Sequence, residues 1–395
     1  MGRLAVGALA LAGWIYLPCF RGGFWRTEEG LGSGVDGLER RERWPEVAAL
    51  IPARNEAHIL PETLPSVLDQ EYPGTLKVYL VSDRSEDGTA RQARGIYGNV
   101  DTSHAMEVIH GEPLPEGWTG KVWAMQQGYR EIREDFNPDY LWLTDADIHH
   151  PPDSLQTLVG KAKREDLSMV SLMALLETGS FWDRIMLPSF VFFFRKLYPF
   201  GWVNDPEKST AAAAGGCVLV DFDLMENING FRSISDSLID DCSLAQLINQ
   251  KSPSSSIWLG LMETVKSLRR YESLSEIWKM VARNAAEQLD YSLTALFLVI
   301  VGMVILYLVP PVFFAWGIAV ILTEGVSLLG LTAAAVPFCA WTLMLLCFVP
   351  ISRFYDLSPA YGLSLPLVAF LYVAMSVDSM FRFRENIPSS SDLQS

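Results

Sequence analysis

The stretch Tyr140-Leu141-Trp142-Leu143-Thr144-Asp145-Ala146-Asp147 decides how this chain is read. Four apolar or aromatic residues in a row read as a short buried strand, after which the chain turns polar. In an open α/β sheet, ligands sit just beyond the carboxyl ends of the strands. Two aspartates, one residue apart, stand at that place. Divalent cations want hard oxygen ligands and bridge to phosphates through one or two carboxylates. Taken alone, Asp145 and Asp147 read either as a solvated acidic turn or as a metal–diphosphate site.

The segments on the amino-terminal side bear on that choice. Val47-Ala48-Ala49-Leu50-Ile51 reads as a buried strand stopped by Pro52, with Arg54-Asn55-Glu56 at its carboxyl end. A helical pattern follows through Leu60, Leu64, Val67 and Leu68. The next strand, 77–81, runs into Ser82-Asp83-Arg84-Ser85-Glu86-Asp87-Gly88-Thr89, and 107–110 reads as a third. Trp118-Thr119-Gly120-Lys121 leads into a helix over 122–132. Strands alternating with helices imply a mostly parallel, doubly wound α/β sheet. The Gly-x-Gly-x-x-Gly fingerprint is missing, so no nicotinamide cofactor is expected. Three strands thus deliver polar clusters to one sheet edge. Asp83 can accept hydrogen bonds from a base N–H or sugar hydroxyls, and Lys121 can offset diphosphate charge as a point cation. Together they favour a nucleotide-diphosphate site.

Half of the 395 residues are hydrophobic, yet 19 % are charged, which suggests a soluble part joined to a membrane part. A net charge of −15 argues against nucleic acid as a partner. Five cysteines without metal-type spacing read as reduced structural thiols. Residues 4–20 are an apolar run, and Trp14, Tyr16, Phe24 and Trp25 read as an interfacial belt. Residues 1–26 therefore read as an uncleaved anchor in preference to a cleaved signal peptide. Arg21, Arg26, Arg40, Arg41 and Arg43 place the following side in the cytoplasm, and 27–46 reads as a linker. A soluble domain is expected over 47–290 and membrane helices over 291–384, with 385–395 a disordered tail. Candidate spans are 292–309, 312–329, 333–349 and 363–380, broken at Pro310-Pro311 and 352–360. With the anchor they make five, which returns the chain to the cytoplasm, where Arg382 and Arg384 flank the last span. The aromatic segment 185–202 reads either as buried core or as an interfacial element whose Arg195 and Lys196 reach lipid phosphates.

The strand-Pro-x-Arg-Asn-Glu opening, the segment from Asp83 to Thr89 and Asp145-x-Asp147 resemble family 2 glycosyltransferases of the GT-A fold. Gly215-Gly216-Cys217, Asn229-Gly230-Phe231 and Asp240-Asp241 carry the same resemblance. Trp118-Thr119-Gly120-Lys121-Val122-Trp123-Ala124 and Asp145-Ala146-Asp147-Ile148-His149 bring the chain closer to the hopene-associated glycosyltransferases, membrane members related to ceramide glucosyltransferase. The resemblance implies a Rossmann-like GT-A domain between N- and C-terminal membrane helices. It implies that Pro52, Ala53, Arg54, Asn55, Glu56 and Asp83 hold a nucleotide-sugar donor with Lys121. Asp145 and Asp147 would bind Mg²⁺ or Mn²⁺ and the donor diphosphate, Asp241 would be the catalytic base, and the acceptor would be a lipid. Asp240 reads as a helix cap or a neighbour of the base, and His149 as a surface or supporting imidazole or a further ligand.

One departure concerns the acceptor side. Where relatives carry Gln- or Arg-x-x-Arg-Trp, this chain has Trp278-Lys279-Met280-Val281-Ala282-Arg283-Asn284, so Arg283 stands for the arginine and Asn284 replaces the tryptophan. Trp278 is the aromatic residue left to line that side. A processive polysaccharide synthase, and a transporter or scaffold with a degenerate sugar-nucleotide domain, are the other readings. The missing tryptophan speaks against the first, and the acidic set with few charges in the apolar runs speaks against the second.

Overall fold

The computed structural model describes residues 2–28, 30, 43–251 and 256–385. Arg40, Arg41, most of the expected 27–46 linker and the tail beyond residue 385 lie outside the described residues. The chain opens with α1 (Gly2–Phe20), β1 (Val47–Ala53), α2 (Leu60–Leu68), β2 (Leu76–Ser82), α3 (Thr89–Tyr97) and β3 (Ala105–His110). Next come α4 (Gly120–Asp135), β4 (Tyr140–Thr144), β5 (Ile148–His149), α5 (Ser154–Glu165), β6 (Met169–Leu176), α6 (Phe181–Leu197) and α7 (Phe200–Val203). They are followed by β7 (Cys217–Asp221), α8 (Phe222–Asn227), α9 (Asp240–Lys251), β8 (Ile257–Ser267) and α10 (Leu274–Gln288). The last helices are α11 (Leu293–Met303), α12 (Val309–Glu324), α13 (Leu328–Phe354) and α14 (Leu365–Glu385).

Two compact units result. One comprises Glu28–Glu177 and Phe200–Arg269, the other Met1–Thr27, Thr178–Pro199 and Arg270–Ser395. The first holds an eight-stranded sheet in the order β3-β2-β1-β4-β7-β6-β8-β5. β1, β2, β3 and β4 are parallel neighbours, as the alternating pattern predicts, and β7 enters antiparallel between β4 and β6. Val47, Ala48, Ala49 and Leu50 are all fully buried, as a central strand covered on both faces must be. Register is what builds the edge. Ala53 pairs with Ser82, so β1 and β2 end together, and Leu50 pairs with Leu143, so β4 ends just short of them and Asp145 follows at the same edge. Cys217 pairs with Thr144, so the residues leading into β7 start at that same edge.

The second unit gathers α1, α6 and α10 to α14. Four of its helices are long and apolar enough to cross a membrane, the second being a continuous 32-residue element, Leu293–Glu324. The break expected at Pro310-Pro311 is not there, so two of the five expected spans are one helix. A π-helical turn over Val304–Leu308 precedes the prolines, which stand in the first turn of α12. The prolines supply no amide to the turn before them, but the Leu306 carbonyl there accepts from Trp14 Nε1 at 2.6 Å and the wider π turn accommodates the rings, so the helix runs on. The small residue Gly317 brings α12 against α13. A Cβ there would lie 2.4 Å from the Ala334 nitrogen and 2.6 Å from the Ala333 oxygen.

Helix α6 belongs to this unit, and its cations differ in role. Arg195 is 1 % exposed and donates from Nε to the Phe24 carbonyl at 3.0 Å, with Nη2 on the Arg26 carbonyl. It ties α6 to the chain leaving α1 and does not reach out to lipid phosphates. Lys196 Nζ lies 3.0 Å from the Tyr307 hydroxyl and against the rings of Phe193 and Tyr307. The buried-core reading of 185–202 accounts for Ile185, Met186, Val191 and Phe192, all buried.

Directions within the bundle follow from the contacts. Trp14 Nε1 donates to the Leu306 carbonyl at 2.6 Å and Gly7 faces Phe313, so α1 runs antiparallel to α11–α12. α13 returns along α12, with Phe338 and Trp341 against Phe314. Met380 packs with Ala286 and Leu296, and Ser379 Oγ accepts from the Ala286 amide at 2.9 Å. α14 therefore ends beside the start of α11. Placed in a membrane, α1, α11–α12 and α13 cross in alternating directions, so the ends of α1 and α13 share one face and the turn at Gly325–Ser327 takes the other. α14 starts on the face where α13 ends and finishes beside the start of α11, so despite its length it adds no crossing. Reporter fusions after Thr27 and after Glu385 should report the same compartment, and an insertion at Val326 the opposite one. Opposite compartments for Thr27 and Glu385 would contradict this course of α14.

Candidate active site

The loops after β1 and β2 are stitched to each other. The Asn55 amide donates to Ser85 Oγ at 3.1 Å, and Asn55 Oδ1 accepts from the Glu86 amide at 2.9 Å. The Glu56 amide donates to Thr89 Oγ1 at 3.0 Å and the Ala57 amide to Asp87 Oδ2 at 2.9 Å. Asn55 and Arg84 take left-handed backbone angles, φ 58° and 49°, which asparagine tolerates better than most residues. Asp87 is therefore a loop staple. Burial nudges its carboxyl up, but hydrogen bonds from Thr89 and Ala57 outweigh that and hold it below the usual range. Asp83 is 3 % exposed, with Arg84 Nε 3.1 Å from Oδ1 and Arg54 Nη1 3.8 Å from Oδ2. A buried carboxylate between two guanidinium groups can turn its acceptors toward a ligand's N–H or O–H groups.

Asp145, at the end of β4, lies 2.9 Å from Lys121 Nζ, on the first turn of α4. The same ammonium lies 3.2 Å from Asp240 Oδ2. Asp240 is the first residue of α9, and its carboxylate turns to Lys121. Asp241 accepts from the Gly215 amide at 2.7 Å on one oxygen and the Cys242 amide at 2.8 Å on the other. A side chain at Gly215 would crowd Asp241 and Lys121. A Cβ would lie 3.3 Å from Asp241 Oδ2 and 3.4 Å from Lys121 Nζ. Pro52, Lys121, Asp145, Gly215, Asp240 and Asp241 line one cavity. Burial pushes the Asp241 carboxyl up, Asp240 adds to the shift, and Lys121 with the two amides opposes it, leaving it at about 6. Burial would lower Lys121, but Asp145, Asp240 and Asp241 raise it, so it stays charged.

The second aspartate has other partners. Asp147 Oδ2 accepts from Ser267 Oγ at 2.7 Å, at the end of β8. Burial and the nearby Asp145 raise its carboxyl, against Ser267 and Arg269. Glu56 is raised first by burial and then by Asp147 and Asp145, with Arg269 and His58 opposing. Three carboxylates thus lie within electrostatic reach of one another, where a cation would relieve them. No three His, Cys, Asp or Glu side chains among the described residues form a ready cage for a metal. Two hard carboxylates, with phosphate oxygens and water to complete the set, still suit Mg²⁺ or Mn²⁺. His149 is half-buried in β5. Its neighbour His150 is buried against Trp142, with Nε2 2.8 Å from Thr144 Oγ1, and burial pushes it down to about 3.

Pro52, Arg54, Glu56, Asp83, Lys121, Asp145, Asp147, Asp240 and Asp241 therefore meet at one edge of one unit, with Ala53 and Asn55 forming the loop between. Trp278 and Arg283 lie on α10 in the other unit, where Trp278 Nε1 donates to Asp378 Oδ2 at 2.6 Å and Arg283 Nε to Asn284 Oδ1 at 3.3 Å. Ser267 and Arg269 were not foreseen. Nothing local in Ser267-Leu268-Arg269 marks a site, and only the pairing of β8 with β5 brings them to Asp147.

Removing the shared cation should expose its role. Lys121→Met leaves Asp145, Asp240 and Asp241 facing one another. A loss of roughly 1–3 kcal/mol is expected at pH 8, between the values for exposed and buried pairs. Burial raises the Asp241 carboxyl and Lys121 holds it to about 6 in the wild type; without Lys121 it rises further, and its protonation at low pH relieves the repulsion. Thermal unfolding should thus show a smaller deficit at pH 5 than at pH 8, and an equal deficit at both would contradict the arrangement.

Comparison with known proteins bears on this edge. Residues 48–228 match the model of glycosyl transferase family 2. Among curated proteins there is no significant match. The chain is similar in structure to a mannosyltransferase from Pyrobaculum calidifontis, PcManGT, solved with GDP-Man and Mn²⁺. That similarity has a TM-score of 0.58 and 17 % identity, over 96 % of this chain and 99 % of that one. A glucosyl-3-phosphoglycerate synthase from Mycobacterium tuberculosis aligns with a TM-score of 0.39 and 17 % identity, over 62 % of this chain and 78 % of that one. S. aureus TarS aligns at 0.37 and 13 % identity, over 86 % and 92 %. The last two scores are too low to argue from. The first shows the fold: the sheet-bearing unit is GT-A-like, and residues 48–228 within it are the stretch that matches the family 2 model.

Proposed function

We propose that this chain is a membrane-bound, metal-dependent, inverting glycosyltransferase that moves a sugar from a nucleotide-sugar donor to the hydroxyl of a lipid, a hopanoid among the candidates. One observation carries the reading. Lys121 joins Asp145 on the donor side to Asp240, next to Asp241, within a single cavity. The complex of the Pyrobaculum mannosyltransferase with GDP-Man and Mn²⁺ supports a nucleotide-sugar donor and a divalent cation. The apolar helices support a membrane enzyme, and with it a lipid acceptor; Phe297, Leu298, Leu322 and Leu328 are each exposed on them.

In this reading Arg54, Asn55, Glu56 and Asp83 hold the nucleoside, Asp83 by accepting from the base or ribose. Asp145 and Asp147 would hold Mg²⁺ or Mn²⁺, which when bound offsets the charge on the leaving diphosphate. Lys121, already between donor-side and base-side carboxylates, adds a fixed positive charge where negative charge develops. Asp241 takes the proton of the attacking hydroxyl. Its oxygens are oriented by the Gly215 and Cys242 amides, and a carboxyl near 6 is ionised at neutral pH while remaining a stronger base than an ordinary aspartate. The basic residues Arg21 and Arg26, next to the end of α1, support a catalytic unit in the cytoplasm, where sugar nucleotides are made.

Asp241→Asn keeps the shape and removes the base. Calorimetric donor binding should stay near normal while transfer falls by about 10²-fold or more. Wild-type turnover should fall as pH drops through about 6, as Asp241 takes up its proton, and that limb should be lost in the variant. Equal loss of binding and transfer would assign Asp241 a structural role instead.

A further inference from the structure

The side chain of Asp147 is oriented from a strand 120 residues further along the chain. β5 and β8 are antiparallel, with Ile148 opposite Ser267 and His149 opposite Lys266. The hydroxyl of Ser267 donates to Asp147 Oδ2 at 2.7 Å, and the Leu268 amide donates to the Asp147 carbonyl at 2.9 Å. Ser267 is itself 5 % exposed, so packing limits where its hydroxyl can go. Backbone and carboxylate of Asp147 are thus both gripped by the end of β8. The donor engages one lone pair of the carboxylate and leaves others for another partner. Carboxylates that ligate metals are as a rule hydrogen-bonded in this way, and losing such a support typically costs 10–100-fold in metal affinity. Arg269, within electrostatic reach of Asp147 and Glu56, supplies the positive charge of this corner. Ser267 is neutral, so its contribution is orientation.

We propose that Ser267 is a positioning residue of the divalent-cation site: its hydroxyl fixes the orientation of the Asp147 carboxylate, so that the lone pairs it leaves over are presented to the cation. This rests on the reading of Asp145 and Asp147 as the pair that holds the metal. The juxtaposition is made by the β5–β8 pairing alone.

The experiment is a Mn²⁺ titration of the full-length protein in detergent, with free Mn²⁺ followed by electron paramagnetic resonance and no nucleotide present. Ser267→Ala should weaken Mn²⁺ binding by about 10-fold or more, with no change in charge. Ser267→Cys, a weaker donor of similar size, should fall between Ala and wild type. Asp147→Asn should lose most of the binding. Wild-type affinity in Ser267→Ala, alongside loss in Asp147→Asn, overturns the role of Ser267. Wild-type affinity in Asp147→Asn overturns the metal reading on which it rests. Should Ser267→Ala fail to fold, Ser267→Cys decides, and wild-type affinity there overturns the proposal.

Discussion

The ammonium of Lys121, 2.9 Å from Asp145 and 3.2 Å from Asp240, is the interaction on which this edge depends. Two unit charges 4 Å apart in a medium of effective dielectric constant near 20 interact by about 4 kcal/mol, and solvent at a partly open site reduces that. Asp145 follows β4 while Asp240 and Asp241 open α9, and without a cation their approach would work against folding. Lys121 resolves the conflict from the first turn of α4. In the proposed reaction the same charge answers the leaving diphosphate, so a group that makes the fold tolerable also suits the chemistry.

Position comes from register. β1 and β2 end level because their parallel ladder aligns Ala53 with Ser82, and Leu50 opposite Leu143 brings Asp145, just after β4, to the same edge. The antiparallel entry of β7 then delivers Gly215, whose missing side chain gives Asp241 its room and whose amide orients it. β8 closes the far side by holding Asp147. Each acidic group is thus set by a different strand pairing, while the stitching of Asn55, Ser85, Asp87 and Thr89 fixes the loops beside Asp83.

Much of this was legible in the residues, and for physical reasons. Buried strands announce themselves as apolar runs, and the polar residues that end them mark the sheet edge, so Arg54 to Glu56, Asp83 and Asp145 to Asp147 could be placed before any coordinates. Asp241 was placed by the resemblance of Asp240-Asp241 to a family pattern, and the structure puts it beside Gly215 and Lys121. Ser267 and Arg269 were not legible, because a serine and an arginine after an ordinary strand carry no local signal. Pro310-Pro311 misled because the π turn before them makes room for the rings and Trp14 from α1 occupies the Leu306 carbonyl, neither of which has a local signal. Arg195 looked like a cation bound for lipid headgroups, but two backbone carbonyls near Phe24 hold it in the interior.

The central claim is that Asp145, Asp147 and Lys121 form a metal–diphosphate site next to the base Asp241. An experimental structure with Mn²⁺ and a nucleoside diphosphate tests it most directly. The account predicts an anomalous Mn²⁺ peak within bonding distance of Asp145 or Asp147. It also predicts that the Lys121 ammonium moves onto the phosphates, with Asp241 still held by the Gly215 amide. A nucleotide bound away from this edge, or Mn²⁺ elsewhere with the Lys121–Asp145 pair undisturbed, would contradict it.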